Sequence, residues 1–257
     1  AVAIVHNETS TGVASDIGAV RRALDRAEHP ALLLVDAISS LGAMEYRHDE
    51  WGVDVTIAGS QKGLMLPPGL GFNAVGERAL AAMAQARLPR SYWDWQPILS
   101  ANEGGFFPYT PATNLLFGLD EGLTILMEEG LQSVFGRHQH FAEATRRAVT
   151  GWGLDLVAQT AAEYSPTLTA VMMPDGGDAD ALRQVILERF DMSLGTGLGR
   201  LQGRSFRIGH LGDLSVLTLA GTLCGVEMGL ALAGVPYESG GVMAALEYLT
   251  KTSTAEG

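Results

Sequence analysis

Two side chains in this sequence are well placed to do chemistry together. Lys62 lies in Gly59-Ser60-Gln61-Lys62-Gly63, directly after the apolar run Val53 to Ala58. Asp36 closes the apolar run Ala31 to Val35. If the two runs are strands of one sheet, an amine and a carboxylate meet at the same sheet edge, where open α/β sheets bind their ligands. An amine that condenses with a carbonyl, opposite a carboxylate that pairs with a protonated pyridine nitrogen, is what pyridoxal phosphate (PLP) chemistry uses. Each residue also has a plainer reading. Lys62 reads equally as a surface lysine, although small residues flank it and the stiff Pro67-Pro68-Gly69 follows. Asp36 reads equally as a helix cap, a task that Ser39 or Ser40 could take instead.

Three further segments carry polar groups at suggestive places. His6-Asn7-Glu8-Thr9-Ser10-Thr11-Gly12 follows the apolar Ala1 to Val5. It reads either as a ligand-contacting turn or as a hydrogen-bonded cap for the next helix. Arg207, in Phe206-Arg207-Ile208-Gly209-His210, alternates with apolar neighbours, so its guanidinium faces away from them. It suits bidentate capture of a carboxylate, or an intramolecular salt bridge. Gly195-Thr196-Gly197-Leu198-Gly199 lacks the spacing of a nucleotide loop and reads as a flexible connection. His6 and Glu8 offer two metal-type ligands with no third in view, so no metal site is expected. Cys224 sits in an apolar helical stretch and reads as core.

The elements that must position these groups alternate at first. Strands are expected at Ala1–Val5, Ala31–Val35, Val53–Ala58 and Gly71–Val75, with helices at Asp16–Ala27 and Glu77–Ala86. Short apolar strands without alternation suggest a sheet covered on both faces. Residues 88–113 read as irregular and aromatic, and a helical pattern broken at Gly130 runs from Leu115 to Thr150. Beyond it come expected strands at Leu154–Val157, Thr167–Met173 and Ser205–Ile208. Helices are expected at Asp178–Phe190 and Leu214–Leu232, capped by Asp178 and Asp213. The fold class is α/β with a second, smaller α+β unit.

The chain has 257 residues, a net charge of −12 and one cysteine. The acidic balance without a basic cluster argues against nucleic-acid or anionic-membrane partners. One cysteine builds no disulfide framework and fits a reducing, cytoplasmic setting. The apolar stretch Leu214 to Val235 is broken by Glu227 and glycines, so it reads as a buried helix and not a membrane span. The final Thr254-Ala255-Glu256-Gly257 spells no peroxisomal address. A chain that opens inside an apolar strand is expected to lack what precedes it.

Taken in order, five segments resemble the alanine/serine–glyoxylate aminotransferases, of the class V branch of fold-type I PLP enzymes. They are His6 to Val13, Leu33-Leu34-Val35-Asp36, Ala58-Gly59-Ser60-Gln61-Lys62-Gly63-Leu64-Met65-Leu66-Pro67, Phe107-Pro108-Tyr109-Thr110-Pro111 and Phe206-Arg207-Ile208-Gly209-His210-Leu211-Gly212-Asp213. The resemblance implies the later part of a large PLP-binding α/β domain over residues 1–130 and a small α+β domain over 131–257. It implies transfer of an amino group from L-serine or L-alanine to glyoxylate. Lys62 would hold PLP covalently and Asp36 would pair with its pyridine nitrogen. Thr9 would contact the phenolic oxygen, Ile38 one ring face and Gln61 the phosphate. Thr110 would reach the phosphate of a second subunit, which makes the site a homodimer feature. Arg207 would clamp the substrate carboxylate. Where many relatives place a phosphate-contacting tyrosine, this chain has Phe107, with Tyr109 nearby. The family's phosphate turn and ring-stacking aromatic would precede Ala1. Two other readings stay open: a cysteine desulfurase-like lyase, and a catalytically incomplete fragment that only dimerises or binds partners.

Overall fold

The computed structural model describes residues 1–252, so the terminal Thr254–Gly257 read above lies outside it. The chain starts with β1 (Val2–Val5) and the short hairpin β2 (Asn7–Glu8) and β3 (Val13–Ala14). Helix α1 (Ile17–Arg26) begins where Asp16 accepts the Ala19 N–H at 2.7 Å, replacing a partner that helix N-termini lack. Strands β4 (Leu33–Asp36), β5 (Val55–Gly59) and β6 (Gly71–Val75) complete a sheet of order β1-β4-β5-β6. The first two pairings are parallel and the last is antiparallel. Val2, Ile4, Leu33 and Val35 pack with Ile17, Val20 and Leu24 of α1. The opposite face, expected from the sequence to be covered too, leaves Ala3 exposed and Ile57 42% exposed.

Four helices follow: α2 (Glu77–Met83), α3 (Trp95–Glu103), α4 (Thr113–Glu129) and α5 (Leu131–Gly151). Helix α3 corrects the expectation of irregular chain over 88–113. Asp94 caps it by accepting the Gln96 N–H at 3.1 Å. Pro97 falls in its first turn, where a missing N–H breaks no helical bond. Gly130, at φ +82°, makes the expected break between α4 and α5. The start of α5 (Val134, Phe135) packs with Leu64, Leu66 and Leu126. Its later turns (Phe141, Val149) enter a second core with Trp152.

That second core is built around β7 (Leu168–Met172), α6 (Ala179–Phe190), β8 (Gly195–Thr196), β9 (Ser205–Gly209), α7 (Val216–Leu232) and α8 (Gly241–Thr252). The sheet order is β7-β9-β8, antiparallel throughout. Several expectations change here. Leu154–Val157 makes only an antiparallel bridge, Leu156 to Val171, through the Val157 N–H to the Ala170 carbonyl (2.9 Å) and the Met172 N–H to the Asp155 carbonyl (2.8 Å). Ser215, not Asp213, caps α7, through the Thr218 N–H. No element was expected after Leu232, yet α8 packs there. Glu227 holds it, accepting the Trp152 indole N–H at 2.6 Å and the Val242 N–H at 2.9 Å. Cys224 is exposed and not core, since Leu219, Leu223, Val226 and Leu230 define the buried face of α7.

Burial leaves two histidines neutral. His6 packs against Tyr46 (tilted) and Trp51 (edge-on), at ring separations of 5.3 and 5.6 Å, and burial lowers its pKa to about 4. His210 bonds to the Pro166 carbonyl and Thr169 hydroxyl, each at 3.0 Å, and burial lowers its pKa to about 3. Burial also lowers the pKa of His138. Folded values below the unfolded one mean that the unfolded chain binds more protons in acid. Stability therefore falls as pH drops below about 6.5, by ~1.4 kcal/mol per pH unit for each such histidine. The urea midpoint should fall between pH 7 and pH 5, and His6→Gln should shrink that fall. A midpoint indifferent to both would show that these imidazoles are not held neutral.

Candidate active site

The parallel register sets Val5 beside Asp36 and Asp36 beside Ile57, so the C-terminal ends of β1, β4 and β5 form one edge. Asp36 ends β4 in a turn, not a helix. Its Oδ1 accepts the Ile38 N–H at 2.9 Å, which fixes the carboxylate. Its Oδ2 takes no hydrogen bond from the described residues. Lys62 lies in the turn after β5 and is half-buried, and its amine has no hydrogen bond or ion pair among the described residues. Ser60, fully buried, pins this turn by donating to the Pro67 carbonyl at 2.8 Å and accepting the Leu70 N–H at 3.2 Å.

Two glycines bring the Asp36 and Lys62 turns together. A Cβ on Gly63 would collide with the Leu41 carbonyl oxygen and lie 2.9 Å from the Gly42 carbonyl carbon. Gly42 itself sits at φ +77°, a conformation that side chains disfavour. The two turns thus touch backbone to backbone.

Arg207 comes from the other sheet. Phe206 and Ile208 are fully buried, and Arg207 points the other way, as alternation requires. Its Nε donates to the Thr196 carbonyl at 2.8 Å and its Nη1 to the Thr9 carbonyl at 2.7 Å. It makes no ion pair among the described residues, so the salt-bridge reading does not hold. Burial and then the nearby Arg183 lower its pKa, while Glu8 opposes them. Residues Gly195 and Thr196 correct the flexible-loop reading: as β8 they pair with Arg207 and Phe206. A two-residue strand is too short for any periodicity to reveal.

Asn7 ties the two sheets and was not singled out from the sequence beyond its polar segment. Its Nδ2 donates to the Ser39 carbonyl (3.2 Å), the Ser39 hydroxyl (3.2 Å) and the Thr167 hydroxyl (2.7 Å). The Gly12 carbonyl accepts the Ser165 N–H at 3.0 Å. The hairpin tip that carries Thr9 is therefore fixed to both sheets.

The remaining candidates differ in placement. Ile38 is half-buried two residues after Asp36, and Thr9 is half-buried at the hairpin tip. Gln61 is exposed, and its side chain folds back over Gly59. Thr110 is exposed on the segment between α3 and α4, beside Tyr109, whose ring lies 5.1 Å from that of Tyr92. Among the described residues no three His, Cys, Asp or Glu side chains cluster as a metal site would need. No described helix is long and apolar enough to cross a membrane. The edge thus offers a fixed carboxylate, an unpaired amine and an anchored guanidinium.

Comparison with known proteins gives the family. The family model "Aminotransferase class-V" covers residues 1–198. A serine–glyoxylate aminotransferase of Methylorubrum extorquens is 50% identical over 100% of this chain and 65% of its own length. An L-aspartate–glyoxylate aminotransferase of Paracoccus denitrificans is 46% identical over 99% of this chain and 64% of its own length. The crystal structure of pyridoxamine–pyruvate aminotransferase from Mesorhizobium loti superimposes with a TM-score of 0.89 at 34% identity, over 98% of this chain and 65% of that one. The chain spans about 65% of the length of these relatives. It belongs to the class-V aminotransferase family.

Proposed function

We propose that this chain is part of a PLP-dependent aminotransferase that moves the amino group of L-serine, or L-alanine, to glyoxylate. The products are hydroxypyruvate, or pyruvate, and glycine. The carrying observation is that Lys62, with an unpaired amine, and Asp36, with an unused Oδ2, share one strand edge. Those two groups fit PLP at its aldehyde and its pyridine nitrogen. Identity of 50% to a protein named serine–glyoxylate aminotransferase supports the choice of substrates.

When bound, PLP supplies an electron sink for the carbon that loses its proton. The residues do the rest. Lys62 would anchor the cofactor until the donor amine displaces it, and its freed amine would then take the proton from the donor Cα and deliver it to the cofactor carbon. Asp36, held by the Ile38 N–H, keeps the pyridine nitrogen protonated. Thr9 contacts the phenolic oxygen, Ile38 a ring face and Gln61 the phosphate. Arg207 holds the substrate carboxylate. Residues 1–130 form the cofactor-binding part and 131–257 the small part.

We further propose a homodimer in which Thr110 reaches the partner's phosphate. The support is a concentration of exposed apolar side chains between residues 88 and 131, where Leu88, Trp93, Phe106, Phe117 and Met127 are each more than two-thirds exposed. Apolar side chains exposed at this density along the chain suit burial against another chain. The free Cys224 fits a reducing compartment, and the cytoplasm is the proposed one.

Lys62→Ala should abolish transamination between L-serine and glyoxylate, followed by hydroxypyruvate formation; retained turnover would refute the assignment. Arg207→Ala should raise the L-serine KM by roughly 10- to 100-fold, the loss of a charge-assisted bidentate contact. An unchanged KM would remove that role. Phe117→Asp should shift the sedimentation coefficient toward that of a monomer, and no shift would move the dimer contact elsewhere.

A further inference from the structure

Gly195 lies directly across from Arg207 in the β8–β9 pair. A Cβ built on Gly195 would come within 3.0 Å of Arg207 Cβ, 3.1 Å of its Nε and 3.4 Å of its Cζ. The Arg207 side chain therefore runs across the bare Cα of Gly195. The φ of Gly195 is not in the positive region that favours glycine, so the constraint there is space and not backbone strain.

The anchors decide which part of the guanidinium remains. A carboxylate can grip a guanidinium along its Nε/Nη2 edge or its Nη1/Nη2 edge. Nε–H is already given to the Thr196 carbonyl, and one Nη1 hydrogen to the Thr9 carbonyl. Only the Nη1/Nη2 edge can still offer two parallel donors. Thr196, which supplies the first anchor, follows Gly195 in β8. The empty space at Gly195 and the carbonyl at Thr196 therefore act on the same side chain.

We propose that Gly195 is a positioning residue for Arg207. By carrying no side chain it lets the guanidinium lie along β8, bound to Thr196, so that only the Nη1/Nη2 edge meets the α-carboxylate of an amino-acid substrate. The inference rests on the proposed role of Arg207 as the carboxylate clamp. It adds which edge is used and which residue enforces it.

Arginine Nε–H signals in NMR spectra of the chain, supplied with PLP, test this. The Arg207 signal is identified by its absence in Arg207→Lys. In the unmodified chain, L-serine should bind saturably and perturb the Arg207 guanidinium, while the Nε–H keeps its protection from solvent exchange. In Gly195→Ala the L-serine Kd should rise about tenfold. Binding of ethanolamine, the same molecule without its carboxylate, should not change. Adding Gly195→Ala to Arg207→Lys should weaken L-serine no further, because Gly195 acts only through the guanidinium. An unchanged L-serine Kd in folded Gly195→Ala overturns the proposal. So does loss of Nε–H protection on L-serine binding in the unmodified chain, a measurement that stands even if Gly195→Ala does not fold. If the Arg207 signal ignores saturating L-serine altogether, the clamp role fails first and the edge assignment falls with it.

Discussion

The contact on which the site depends is between two stretches of backbone, not two side chains. The turn after β4 and the turn after β5 meet at Gly42 and Gly63, so closely that a Cβ on Gly63 would strike the Leu41 carbonyl. Parallel pairing of β4 and β5 already puts Asp36 and the Lys62 turn at one edge. The glycine contact then fixes the separation between the two turns. Hydrogen bonds at Asp36 and Ser60 hold the conformation of each turn. Carboxylate and lysine backbone are in this way placed by contacts between main-chain segments.

The second sheet reaches this edge through a few polar links at one hairpin. Asn7 donates to both Ser39 and Thr167, and Arg207 donates to Thr9. These bonds connect groups up to 198 residues apart in sequence. Buried amide and guanidinium donors are costly to leave unpaired, so the links resist slippage of one sheet against the other. Arg207 serves both purposes at once. Its anchored hydrogens hold the hairpin, and its remaining edge is the one the proposed function assigns to a substrate carboxylate.

Much of this was legible from local patterns. The apolar runs ending at Asp36 and before Lys62 mark strands whose ends carry chemistry, and the Phe206-Arg207-Ile208 alternation marks the side on which the guanidinium lies. Asp178 caps the helix it precedes, as expected. Other features were hidden for identifiable reasons. Pro97 disguised α3, because proline usually ends helices but is neutral in a first turn. Helix α7 is rich in apolar residues on every side, so nothing in its sequence marks Cys224 as outward-facing. The β8 strand is shorter than any readable period.

The sequence by itself determined the strands β1, β4, β5, β6, β7 and β9, the helices other than α3 and α8, the carboxylate that ends β4, and membership of the class-V aminotransferase family. All of these rest on neighbours along the chain or on a recognisable order of segments. Only the tertiary structure decided that, among the described residues, Asp36 keeps an oxygen free and Arg207 is bound by two carbonyls and no carboxylate, and that one face of the large sheet is partly open. Each of these depends on which distant group comes within hydrogen-bonding or packing distance. That is set by long-range packing, which no local window of the sequence contains.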